Sequence, residues 1–198
     1  MGNRSVAAPS AILAGLALVT ALTEASTASP ALADQCPAST TCPTTVTFAV
    51  TAPGALTITV PDGPVSIGSG TPSAQISGSL GPITVSDQRA ALTATWVATV
   101  SSASGGFTTG GGSTAETVPN SAVLYWSGPA TATTGTGTFV PGQLDAEAAQ
   151  SLDVSRTAFS KTSGSGANSA TWDPTLVVDV PAQAVAGTYT GTVNHSVA

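Results

Sequence analysis

Between Leu92 and Val100 apolar and hydroxyl-bearing residues take turns. Leu92, Ala94, Trp96, Ala98 and Val100 fall on one side of a period of two, and Thr93, Thr95, Val97 and Thr99 on the other. That period predicts a β-strand with Trp96 turned into a core. The closing run from Trp172 to Val197 repeats the pattern as two strands around a Pro- and Gly-bearing turn. In its last strand Tyr189, Val193, His195 and Val197 share the inward face. Upstream, Val46, Phe48 and Val50 alternate with small residues, Ala52-Pro53-Gly54 interrupts, and Leu56, Ile58 and Val60 resume, which predicts a hairpin. Short strands are expected at Val65–Ile67, Ile76–Leu80 and Ile83–Val85. Ser121–Ser127 is apolar on both faces and predicts a central strand with Tyr125 and Trp126 pointing opposite ways. The Thr- and Gly-rich stretch Ala130–Val140 should be extended, and only Leu144–Leu152 has a helical look, worth a turn or two. Turns recur every 8–12 residues or so, the rhythm of an all-β chain. The predicted fold is an antiparallel β-sandwich of the Ig-like, Greek-key type with little or no helix.

Composition narrows the setting. Arg4, the apolar run Ala11–Leu22 and Ala31-Leu32-Ala33 have the order of a secretory signal peptide, expected to end at residue 33. Residues 34–198 are then one domain, long enough to bury about 70% of its unfolded surface, and no segment in them is long and apolar enough for a membrane span. Only 7% of residues are charged and the net charge is −6, so a nucleic acid would find no basic patch. The two cysteines, Cys36 and Cys42, are expected to pair in an oxidising compartment as an N-terminal clasp within residues 34–44. Closing so small a ring contributes about 2 kcal/mol.

The chain offers little of the usual catalytic chemistry. No serine sits in a G-x-S-x-G elbow, and His195, the single histidine, would have to act as the base of any triad. Asp62 in P-D-G-P and Asp173 in W-D-P read as turn residues. Asp145, Glu147 and Asp153 match no calcium-loop spacing. The glycines at 105–106 and 110–112 lack the strand, helix and Lys-Ser/Thr context of a phosphate loop and predict a flexible hairpin or loop. Trp126 and Trp172 are candidate sugar-stacking platforms, each weighed against an ordinary place in the core. No enzyme activity, cofactor or metal is expected.

Two stretches, V-S-D-Q-R-A-A-L-T-A-T-W-V-A and V-P-A-Q-A-V-A-G-T-Y-T-G-T-V-N-H-S-V, resemble the WxL domain family of Gram-positive surface proteins. Asp87, Arg89 and Trp96 match the first motif, and Pro181, Gly187, Thr188 and Tyr189 the second; Trp172 opens the closing run. Ala98 stands where the first motif has Leu, and His195 with Val197 replaces the second Trp and Leu. The likeness spans roughly Thr44 to the end. It implies an exported domain held non-covalently to the cell wall, through peptidoglycan, often beside other surface proteins. The function expected is that of a non-catalytic, wall-associated structural or interaction protein, extracellular or on the wall. A secreted carbohydrate-binding module is the alternative.

Overall fold

The computed structural model describes residues 36–198. The proposed signal peptide lies outside the described residues. One unit ends at Thr47 and the other runs Phe48–Ala198. In the first, Cys36 and Cys42 are joined with their Cα atoms 6.0 Å apart, and Thr40 Oγ1 donates to the Pro37 carbonyl at 2.6 Å inside the same ring.

The second unit is all β. Its first seven strands are β1 (Leu56–Thr59), β2 (Gln75–Ser79), β3 (Ile83–Asp87), β4 (Trp96–Ser102), β5 (Phe107–Thr108), β6 (Thr117–Val118) and β7 (Val123–Trp126). Then come β8 (Ala130–Thr134), β9 (Phe139–Pro141), β10 (Gln150–Ser151), β11 (Arg156–Lys161), β12 (Asn168–Trp172), β13 (Thr175–Asp179) and β14 (Val193–Val197). Three sheets have the orders β1-β3-β12-β8, β10-β7-β13-β2 and β14-β4-β11-β9, and β5 pairs with β6. Every pairing is antiparallel. Apart from β5 and β6, no described strand pairs with its neighbour in sequence. The connections therefore cross between sheets, and the sheets pack as a β-sandwich.

Alternation builds the core as its period requires. Ile83, Val85, Ala98, Val100, Tyr125 and Trp172 are fully buried, and Trp96 nearly so. A bulge between Thr157 and Phe159 in β11 turns two successive residues, Ala158 and Phe159, inward. An aromatic row then threads the interior. Trp172 stacks on Phe159 with centroids 4.9 Å apart, Phe159 lies 6.5 Å from Trp96, and Trp96 lies 6.3 Å from Phe139.

Three expectations need correction. Leu92 is 90% exposed rather than in line with Trp96; Ala90 takes a left-handed φ of 51°, which turns the chain before β4 begins. Val46–Val50 forms no strand, and Phe48 and Val50 are more than 80% exposed. The predicted hairpin is absent because β1 takes β3 as its partner, and an alternating segment becomes a strand only where a sheet receives it. Val65–Ile67 is likewise unpaired. Leu144–Leu152 has the short helical turn expected of it, a single 3₁₀ turn, Ala146–Ala148, capped by the Asp145 carboxylate accepting from the Ala148 N–H at 3.1 Å.

Candidate functional site

The residues of the first motif converge on a buried polar network. Asp87, at the end of β3, is fully buried. Its Oδ1 accepts from Arg89 Nε at 2.8 Å and from the Arg89 backbone N–H at 3.1 Å. Its Oδ2 accepts from Arg89 Nη2 at 2.8 Å and from Asn168 Nδ2 at 3.4 Å. Arg89 also donates to the Thr95 carbonyl at 2.9 Å, pinning the turn that leads into Trp96. Trp96 Nε1 donates to Asn168 Oδ1 at 2.9 Å. Asn168 faces Asp87 directly across the β3–β12 ladder, so one amide joins the carboxylate to the indole. The hydrogen bonds from Arg89 hold the Asp87 carboxyl below its ordinary value of 3.8. Every polar tip in this network has a partner, and the only exposed portion belongs to Arg89. This arrangement fixes the backbone and leaves nothing free to meet a ligand.

Lys161, across from Trp96 in the β4–β11 register, is also buried. Its ammonium donates to the carbonyls of Ala94 at 2.8 Å and Ser163 at 2.6 Å, and lies 5.8 Å from the Phe139 ring centre. An open hollow of about 610 Å³ beside Trp96, Lys161 and Ala198 has this lysine as its one charged side chain. With its Nζ tied to two carbonyls, it serves as a structural cross-link.

The second motif does something different. Pro181 begins the turn that the Ala184 N–H closes onto its carbonyl at 3.0 Å. At Gly187 a Cβ would stand 2.8 Å from Thr109 Cγ2, so a larger residue would have to push that side chain aside. Gly191 packs closer still, and a Cβ on it would meet the Phe107 ring at 2.5 Å. The Tyr189 hydroxyl reaches the carbonyls of Ala115 at 2.9 Å and Val185 at 3.0 Å. These contacts hold residues 184–193 as one wall of a cleft of about 1180 Å³, with the stretch 60–72 as another. The lining reaches the core at Ile83, Val118, Leu176 and Val178. It contains no Asp, Glu, Lys, Arg or Cys, and its titratable side chains are Tyr189 and His195.

His195 joins this cleft to the aromatic row. Its ring lies 5.8 Å from that of Tyr125, tilted by 55°, and the Tyr125 hydroxyl accepts from Trp172 Nε1 at 3.2 Å. Burial pushes the imidazole down to about 4, so it is neutral at physiological pH. Its Nε2 is shut off from solvent and has no hydrogen-bond partner. No carboxylate lies in the lining to orient it as a base, and the cleft has the features of a binding recess.

The structure thus places the named residues in two groups. Asp87, Arg89 and Trp96 lie in the network; Gly187, Tyr189 and His195 line the cleft, while Pro181 shapes its wall from outside the lining. Trp172 is fully buried and stacked, so it cannot serve as a sugar platform, and Trp126 is half-buried. Asp145, Asp153 and Glu147 hold no common site, and no cluster of three or more potential metal ligands occurs among the described residues. Asp153 pairs with Arg156 at 3.0 Å. Two participants carry no sequence signal: Asn168 sits in the small, polar run S-G-S-G-A-N-S of residues 163–169, and the stretch 60–72 holds only turns and a short apolar run. Compared with protein-family models, curated proteins and solved structures, the chain matches none.

Proposed function

We propose that this chain is an exported, non-catalytic protein that associates with the cell wall and works by binding, with peptidoglycan or other surface proteins as its partners. The observation that carries the binding role is the cleft lining: large, mostly apolar, uncharged, and without a nucleophile–base pair or paired carboxylates. The wall as its location is carried by the likeness of the Asp87–Trp96 and Pro181–Tyr189 stretches to the WxL motifs. Sedimentation of the purified protein with wall sacculi tests the proposal. Co-sedimentation that survives a salt wash is expected, since so few charges are available for a purely electrostatic attachment. A protein that stays in the supernatant and instead binds one soluble glycan would overturn it in favour of a carbohydrate-binding module. Trp126, whose ring is only half-buried, would then be the residue to substitute.

A further inference from the structure

We propose that the cleft is a self-assembly site, and that its occupant is the segment Thr44–Ala52 of a second copy of the chain. The inference deepens the binding role given to the cleft and rests on it. The segment reads T-T-V-T-F-A-V-T-A, with Val46, Phe48 and Val50 at every second place. These side chains are 79%, 87% and 81% exposed, and the segment belongs to no sheet. A row of large apolar groups at every second place, on backbone outside any sheet, has the pattern of a strand without a partner.

The cleft matches it in chemistry. Neither the segment nor the lining carries a charge, so docking strips no ion of its water. The lining draws on two edge strands, Ile76 from β2 and Val193 with His195 from β14, each of which pairs with only one neighbour. Added strands are received at such edges, where backbone groups supply affinity and alternate side chains fill pockets. Nine extended residues reach about 30 Å. Phe48 alone offers roughly 150–250 Å². Two exchanged segments, counted on both sides, approach the range of about 1,200–2,000 Å² that holds specific pairs together.

Light scattering on the size-separated protein, with two point variants, tests this. Phe48→Asp spoils the donor segment, and Val185→Asp spoils the cleft rim, where Val185 is 46% exposed; neither touches the core, so each variant should still fold and melt cooperatively, its melting temperature lower only by what the lost association contributed. The wild type should have the mass of two or more chains. Each variant alone should associate at least roughly tenfold more weakly, and a mixture of the two should regain association, because the Val185→Asp chain can still donate to the intact cleft of the Phe48→Asp chain. A monomeric wild type, including one whose own segment fills its cleft, would overturn the proposal, as would variants that associate like the wild type. Sedimentation with sacculi separates the two readings. A monomer that still sediments loses the assembly and keeps the wall, and an assembly that fails to sediment loses the wall alone.

Discussion

The two motif stretches meet the same aromatic row, yet they are finished differently. Around Asp87, Arg89, Trp96 and Asn168 each buried polar atom is paired, with contacts of 2.8–3.4 Å. At His195 a buried nitrogen is left without a partner beside a large cleft. A satisfied hydrogen bond contributes only about 0.5–1.5 kcal/mol net, whereas a buried unsatisfied group costs about 1–3 kcal/mol. The first region is therefore where the fold is specified. The second carries the cost of an unpaired buried nitrogen at the edge of the cleft, and it is less tightly specified for that reason.

The hardest blow to this contrast falls on Trp96. Trp96→Ala removes the largest side chain of the network together with its contacts to Phe139 and Phe159. It should cost roughly 3–5 kcal/mol, read as a lower urea midpoint with an unchanged slope. A midpoint close to wild type would mean that the network does not specify the fold, and the contrast would collapse.

Acid should take the two regions apart in sequence. The folded His195 ring titrates at about 4 against about 6.5 when unfolded. Above 6.5 both states are neutral; as pH falls from 6.5 to 4 the unfolded chain takes up the proton and the folded one does not, so stability declines over that window. At about 1.4 kcal/mol per pH unit the decline approaches roughly 3 kcal/mol. Asp87 acts with the same sign in a lower window. Its folded value lies below 3.8, so its contribution is intact above that pH and is lost only as pH falls through the lower folded value. Urea midpoints measured from pH 7 down into the acid range below 3.8 should show both phases, and His195→Phe should flatten the first while leaving the second. An unchanged first phase in that variant would place the effect on some other group.

How far the sequence reaches follows the same division. The period of two located Trp96, Ala98 and Val100 in the core and His195 on an inward face, because burial on one face of a strand repeats strictly. It failed at Leu92, where a left-handed Ala90 redirects the chain, and at Val46–Val50, where the pattern is present but no sheet receives it. Partners were not legible at all. Asn168 meets Asp87 and Trp96 only through the β3–β12 ladder, 81 and 72 residues away along the chain, and the cleft exists only because crossovers bring residues 60–72 beside residues 184–195. Such pairings depend on strand order, which alternation does not encode.

The smallest effect offers the finest test of the network. Arg89→Lys keeps the charge but replaces a rigid fork with a single ammonium, so Asp87 loses one of its two 2.8 Å side-chain bonds and the Thr95 carbonyl loses its donor. The Arg89 side chain is 39% exposed, and solvent screens much of what is removed, which limits the cost near neutral pH to about 1 kcal/mol. The informative change lies lower on the pH scale. Because the Arg89 hydrogen bonds are the main cause of the lowered Asp87 value, weakening them lets that value rise toward 3.8, and the carboxylate then protonates earlier as acid is added. The second acid phase should move to higher pH in Arg89→Lys, while the His195 phase stays where it is. A second phase that does not move would assign the hold on Asp87 to Asn168, and Asn168→Leu should then produce the shift that Arg89→Lys did not.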